Sequence, residues 1–211
     1  MRATHTLFAL ALVAAPLAAQ QSDRGVFDIQ RGETALGREE FSVQPGGGGD
    51  SAGSTIASLA RYPGSRPSVQ IQTMLERNAD GAVVTLQLDT RQADGVRRVY
   101  GAALQDNLTI RQTTPATESV REYPRAAGIV ILDDSVFSLY RVVAERATPA
   151  GARLAVLFPR TGRRGQLTAT RSAPTTIELS GAVNGTLTVD QAGRLMRVVL
   201  ADGVSAIRQA R

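Results

Sequence analysis

The chain has 211 residues, 43% of them hydrophobic, and 24 basic against 19 acidic side chains give it a net charge of +5. It contains no cysteine, no tryptophan and no lysine, so every basic side chain is arginine, and its one histidine is His5. Disulfides, thiolate nucleophiles and lysine Schiff bases are therefore closed, and beyond the first twenty residues so is any mechanism or metal site that needs histidine.

Residues 1–19 have the layout of a secretory signal peptide. Arg2 supplies the positive start, Thr6 to Ala19 form an apolar run, and small residues surround Ala18 and Ala19, so cleavage is expected after Ala19 or Gln20. The run is shorter than the roughly 20 apolar residues that span a bilayer as a helix. These features predict an exported protein, periplasmic or extracellular, that is not an integral membrane protein after cleavage. Loss of Arg2 leaves 23 arginines against 19 acids, a net +4. The arginines are mostly scattered along strands and turns, with only five Phe and four Tyr in the chain. A single-strand nucleic-acid surface combines a basic groove with stacking aromatics, so no nucleic-acid partner is expected.

After a short tail, 20–24, residues 25–211 read as a single β-rich domain. The stretch 26–43, VFDIQRGETALGREEFSV, is a hairpin with Phe27, Ile29, Phe41 and Val43 on its buried face and Gly32 and Gly37 in the connection. Residues 45–54, PGGGGDSAGS, form a flexible glycine-rich loop. In 68–77, Val69, Ile71, Thr73 and Leu75 alternate with Gln70, Gln72 and Glu76, as in an antiparallel strand with one wet face. Asp80-Gly81, Asp94-Gly95, Asp106-Asn107, Asn184-Gly185, Ala192-Gly193 and Asp202-Gly203 punctuate further strands with residues that tolerate tight hairpin turns. None of these turns continues into the alternating oxygen ligands and closing Glu of a calcium loop.

One segment breaks the period of two. After a loop containing Tyr123-Pro124, the spacing of Val136, Tyr140, Val143 and Ala147, widened by Phe137 and Ala144, predicts an amphipathic helix over 134–147. Asp133 or Asp134 would cap it, Arg141 and Glu145 would pair on its outer side, and Thr148-Pro149 would end it. The expected architecture is mainly β: a curved antiparallel sheet of about ten to twelve strands, closed into a half-barrel or barrel, with this helix packed on or in the concave face.

The carboxylates left for acid–base chemistry are poorly arranged for it. Glu39 and Glu40 are neighbours on a strand and point to opposite faces, and Asp133 and Asp134 are neighbours at a helix start. No enzyme activity is expected, although a hydrolase built from distant carboxylates stays open. The glycine run lacks the Lys and following helix of a phosphate-binding loop. No cofactor and no metal is expected.

The opening FDIQRGETALGREEFSV, the late helix DDSVFSLYRVVAER and the closing GTLTVDQAGRLMRVVL together resemble the periplasmic lipoprotein-carrier superfamily of the LolA/LolB type, or a related uncharacterised family of exported bacterial β domains. The resemblance implies a curved sheet whose hollow holds acyl chains or its own helix, and it carries over no catalytic residue. The leading expectation is an exported non-enzymatic β protein that binds an apolar ligand, a lipid or acyl chain, with Phe137, Tyr140 and Phe158 at the mouth of the hollow. The alternative is a structural or interaction module of the cell envelope with a filled core and no ligand, meeting an envelope protein partner. Arg160, Arg163 and Arg164 would be its contact with an anionic surface.

Overall fold

The computed structural model describes residues 22–46 and 53–210. Residues 1–21, where a signal peptide and its cleavage site are expected, and positions 47–52 of the glycine-rich loop lie outside the described residues. Eight strands make an antiparallel meander: β1 (Asp23–Arg31), β2 (Thr34–Pro45), β3 (Ser54–Tyr62), β4 (Val69–Arg77), β5 (Val83–Gln92), β6 (Gly95–Leu104), β7 (Asn107–Thr113) and β8 (Glu118–Pro124). A three-residue strand, β9 (Ile129–Ile131), leads into a 3-10 turn, Phe137–Leu139, and the helix α1 (Tyr140–Arg146). A second meander follows: β10 (Ala152–Phe158), β11 (Arg163–Ala173), β12 (Thr176–Gly181), β13 (Gly185–Val189), β14 (Leu195–Leu200) and β15 (Val204–Arg208).

All fifteen strands belong to one sheet, joined in the middle by antiparallel pairing of β1 with β15 and ending at β8 and β9. That exceeds the ten to twelve expected. Part of the excess is β8, an edge strand exposed at every residue but Tyr123, and Tyr123-Pro124 lies within it rather than in a loop. Charged residues along that edge discourage pairing with another chain. The other edge behaves oppositely. All three residues of β9 are buried, and the strand lies against β5, so the sheet rolls until one edge is tucked inside.

The helix has a topological cause. β9 and β10 pair in parallel, with Ile129 opposite Ala155 and Ile131 opposite Leu157. A parallel neighbour cannot be reached by a tight turn and needs a crossover of a dozen or more residues, usually carrying a helix. Residues 132–151 are that crossover, and its apolar side fills the interior of the roll.

The helix is shorter than expected. Val136 is extended and Ala147 leaves the helix, so only 140–146 are α-helical behind one 3-10 turn. Asp133 does not cap it, because its carboxylate is taken up by the Ser135 amide and Arg160. The outer pair forms as expected, with Arg141 Nε donating to Glu145 Oε1 at 2.7 Å. Gly37 also differs: it sits within β2 opposite Ile29, at a bulge, where a Cβ would meet the Arg61 carbonyl at 2.5 Å and the Tyr62 ring. The expected buried face of the first hairpin holds, with Phe27 and Phe41 stacked at 4.8 Å. Asp80-Gly81 and Asp202-Gly203 are turns, their glycines at φ +75° and +84°.

Phe137 is 1% exposed and Tyr140 0%, and their rings stack at 6.1 Å inside the main apolar cluster. The Tyr140 hydroxyl is buried without a hydrogen-bond partner, and burial, followed by Asp134 and Asp133, holds its pKa far above the usual phenol value. Truncating Phe137 to Ala should therefore lower the unfolding free energy by about 3–5 kcal/mol. Tyr140→Phe, which removes only the orphaned hydroxyl, should leave stability unchanged or raise it. Denaturant midpoints of the two variants check both outcomes.

Candidate binding site

The crossover is gripped at both ends by polar side chains. At its entry the partner is Glu39, which follows the inward phase of Phe41 and Val43 along β2 and is 0% exposed. Its Oε2 accepts the Phe137 amide at 2.7 Å, and its Oε1 accepts the Ser138 hydroxyl at 2.6 Å. The Ser138 amide is shared between both oxygens at 3.2 Å. A carboxylate from another strand thus satisfies amides at the start of the turn, where helical segments leave donors without partners. Burial pushes the Glu39 carboxyl up to about 7, and the bonds from Ser138 and Phe137 pull against that rise.

Further groups fix the same entry. Tyr62, on β3, donates its hydroxyl to the Ser135 carbonyl at 2.6 Å. Burial first, then the neighbouring Glu39 and Asp133, keep this phenol protonated far beyond its usual range. Arg160 forks onto the buried Asp133 at 2.6 and 2.5 Å, and Arg163 reaches Asp134 at 2.7 Å. At the exit, Arg171 donates to the Ala144 carbonyl at 2.9 Å and Arg146 to the Gly81 carbonyl at 2.7 Å.

Beyond that exit lies a cleft of about 790 Å³, bounded by the start of β1, the end of β4, α1, the β13–β14 turn and the end of β15. A line of alternating charge runs through it. Arg208 forks onto Asp23 at 2.5 and 3.1 Å, Asp23 also accepts Arg141 at 2.9 Å, Arg141 pairs with Glu145, and Glu145 accepts Arg77 at 2.8 Å. Arg77 Nη2 also reaches the Ser54 hydroxyl at 2.7 Å. Arg77 continues the inward phase of Ile71, Thr73 and Leu75 and is only 8% exposed. Asp23 and Arg208 likewise follow the inward phases of Phe27 and Ala206. Asp23 falls in the stretch expected to be a tail, yet it begins β1.

The residues singled out from sequence occupy other places. Phe137, Tyr140 and Phe158 are all core, and none of them lines this cleft. Phe158 is covered by Arg163, whose guanidinium stands 3.6 Å from the ring centroid. Arg160 serves the buried carboxylate of Asp133, and Arg163 pairs with the exposed Asp134. Arg164 stands 5.6 Å from the Tyr123 ring, at a smaller cleft of about 400 Å³ along the seam between β8 and β10. The residues missed were Glu39, Arg77 and Asp23. Among the described residues no group of three His, Cys, Asp or Glu could hold a metal ion, and no helix is long and apolar enough to cross a membrane.

No family model and no curated protein matches the chain. Among solved structures, it is similar to a β-barrel-like protein of domain of unknown function DUF1849 from Brucella abortus, with 11% identity, a TM-score of 0.53, and coverage of 88% of this chain and 94% of that one. It also matches a DUF1089 family protein from Pseudomonas aeruginosa at 15% identity and a TM-score of 0.48, over 92% and 95% of the two chains. The first likeness shows a β-barrel-like fold and nothing finer; it does not reach the lipoprotein carriers that the sequence resembles.

Glu39 gives the entry latch a pH dependence of definite sign. Its pKa rises on folding from 4.5 to about 7, so the native state holds this proton more tightly. The stability linked to it is complete below about pH 4.5 and is lost as pH rises through about 7, on the order of 3 kcal/mol in all. Glu39→Gln keeps an acceptor oxygen for the amides but has no proton to lose. The difference in unfolding free energy between wild type and this variant should shift with pH between 4.5 and 7, and stay level above 8. Glu39→Ala, which orphans buried donors, should cost about 2–4 kcal/mol.

Proposed function

We propose that this chain is an exported, non-enzymatic interaction module whose interior is filled by its own crossover, and which meets other molecules at its surface, chiefly through the arginine-lined cleft. The observation that carries this reading is the burial of Phe137, Tyr140 and Phe158 in one apolar cluster with the latched crossover. Ligand pockets for drug-sized apolar molecules are concave spaces of about 300–1,000 Å³ lined mainly by apolar side chains. The cleft beside α1 is one of several spaces of that size, and arginines and acids take a large share of its walls.

A non-enzymatic role is supported by how the inward acids are used. Glu39 holds amides, Asp133 holds Arg160 and Ser135, and Asp23 holds two arginines. Each is committed to a structural partner, and past His5 the chain has no histidine, cysteine or lysine to act as nucleophile or base. Export rests on the signal-peptide layout of residues 1–19.

The competing reading is the acyl-chain carrier, in which the hollow opens to receive a lipid. Protein isolated from an envelope fraction and examined by native mass spectrometry should carry no lipid, begin at Gln20 or Gln21, and fail to displace a fluorescent fatty acid. A co-purifying lipid, or saturable displacement of the probe, would overturn the filled-interior reading in favour of the carrier.

A further inference from the structure

We infer that the cleft at the exit of α1 is a binding site for a phosphate group. This rests on the reading of the cleft as the contact surface, and it names the chemistry of what is met there.

The argument begins with charge. Asp23 and Glu145 are each shared between two guanidinium groups, in the order Arg208, Asp23, Arg141, Glu145, Arg77. Three cations share two anions, so the line carries one uncompensated positive charge. Arg24 and Arg194 stand in the same walls, the latter holding Asp190. Arginine does not shed its proton at working pH, so this excess is permanent.

The second observation is a buried donor. Arg77 is more than nine-tenths buried at the wall of the cleft, and its Nε has no hydrogen-bond partner. A buried unpaired donor on a charged group is costly, and folded proteins rarely leave one unless something else completes it. An oxyanion entering the cleft would lower the repulsion among the guanidiniums and draw the Arg77 side chain toward it, giving an acceptor to an Nε that the protein now covers without pairing. A flat carboxylate satisfies one fork. A tetrahedral phosphate carries acceptor oxygens in several directions, which suits guanidiniums converging from β4, α1 and β15.

The test titrates the mature full chain at low salt with inorganic phosphate and with pyrophosphate, and separately with phosphatidylcholine vesicles with and without phosphatidylglycerol. Saturable binding is expected, weakened at least tenfold in Arg141→Gln. In Glu145→Gln, where Arg77 and Arg141 are released toward the cleft, binding should tighten several-fold, an effect that a folding defect does not produce. Arg163→Gln, at the opposite end of the crossover, should bind as wild type does. Binding only to phosphatidylglycerol vesicles, with the same response to the variants, assigns the phosphate to a lipid headgroup; binding of the soluble anions assigns it to a free phosphate compound. No saturable binding of any probe, or an affinity indifferent to both Arg141→Gln and Glu145→Gln, would overturn the site. Such a result leaves the filled interior standing, and fatty-acid displacement would overturn the filled interior without touching the phosphate site.

Discussion

One buried carboxylate joins the two halves of this fold. Glu39 belongs to the first meander, and the amides it accepts belong to the crossover between β9 and β10, some hundred residues later. The roll of the sheet places β2 over the crossover, and the crossover in turn gives the roll something to close around. An inward carboxylate would be expensive in an apolar interior. It is tolerated here because it meets backbone donors that would otherwise be orphaned, and because its raised pKa lets it hold a proton near neutrality.

The same economy of paired cost recurs at the exit. Inward-facing charged residues occur at strand ends, where the barrel-like roll is open: Asp23 begins β1, Arg77 ends β4 and Arg208 ends β15. They cannot be left alone, and the helix delivers Arg141 and Glu145 to complete them. The crossover is thus anchored by amide donors at one end and by an ion-pair line at the other, with apolar rings between. Arginine suits both tasks, since its fork can bridge two acceptors at once, as Arg208 does on Asp23 and Arg160 on Asp133.

Much of the architecture was legible in the sequence because period-two alternation reports burial directly. Phe27, Ile29, Phe41 and Val43, and the series from Val69 to Leu75, lie on the faces that the alternation assigned. The polar edge β8 and the three-residue β9 escaped it, since neither offers an alternating stretch long enough to register. The helix was visible, but its first turn was overread because hydrophobic spacing at Val136 continues past the point where the backbone is helical. The phase that buried Phe41 and Val43 also runs back to Glu39, and the phase of Thr73 and Leu75 runs forward to Arg77. Extending those phases by one step flags both as inward charges. What no local pattern supplies is their partners, which lie 98 and 68 residues away. Tyr140 and Phe137 illustrate the converse: an apolar stripe on a helix reads the same whether it faces a ligand or a core.

The claim on which the rest turns is that the crossover is a latched, integral part of the core. Native-state hydrogen exchange at the Phe137 and Ser138 amides tests it most directly, because both protons are held by Glu39 and by no helical carbonyl. Protection as high as that of the central β1 and β15 amides, lost only with global unfolding, is the result this account requires. Exchange at the rate of surface loops, with the strands still protected, would show the crossover opening independently of the sheet and would contradict it.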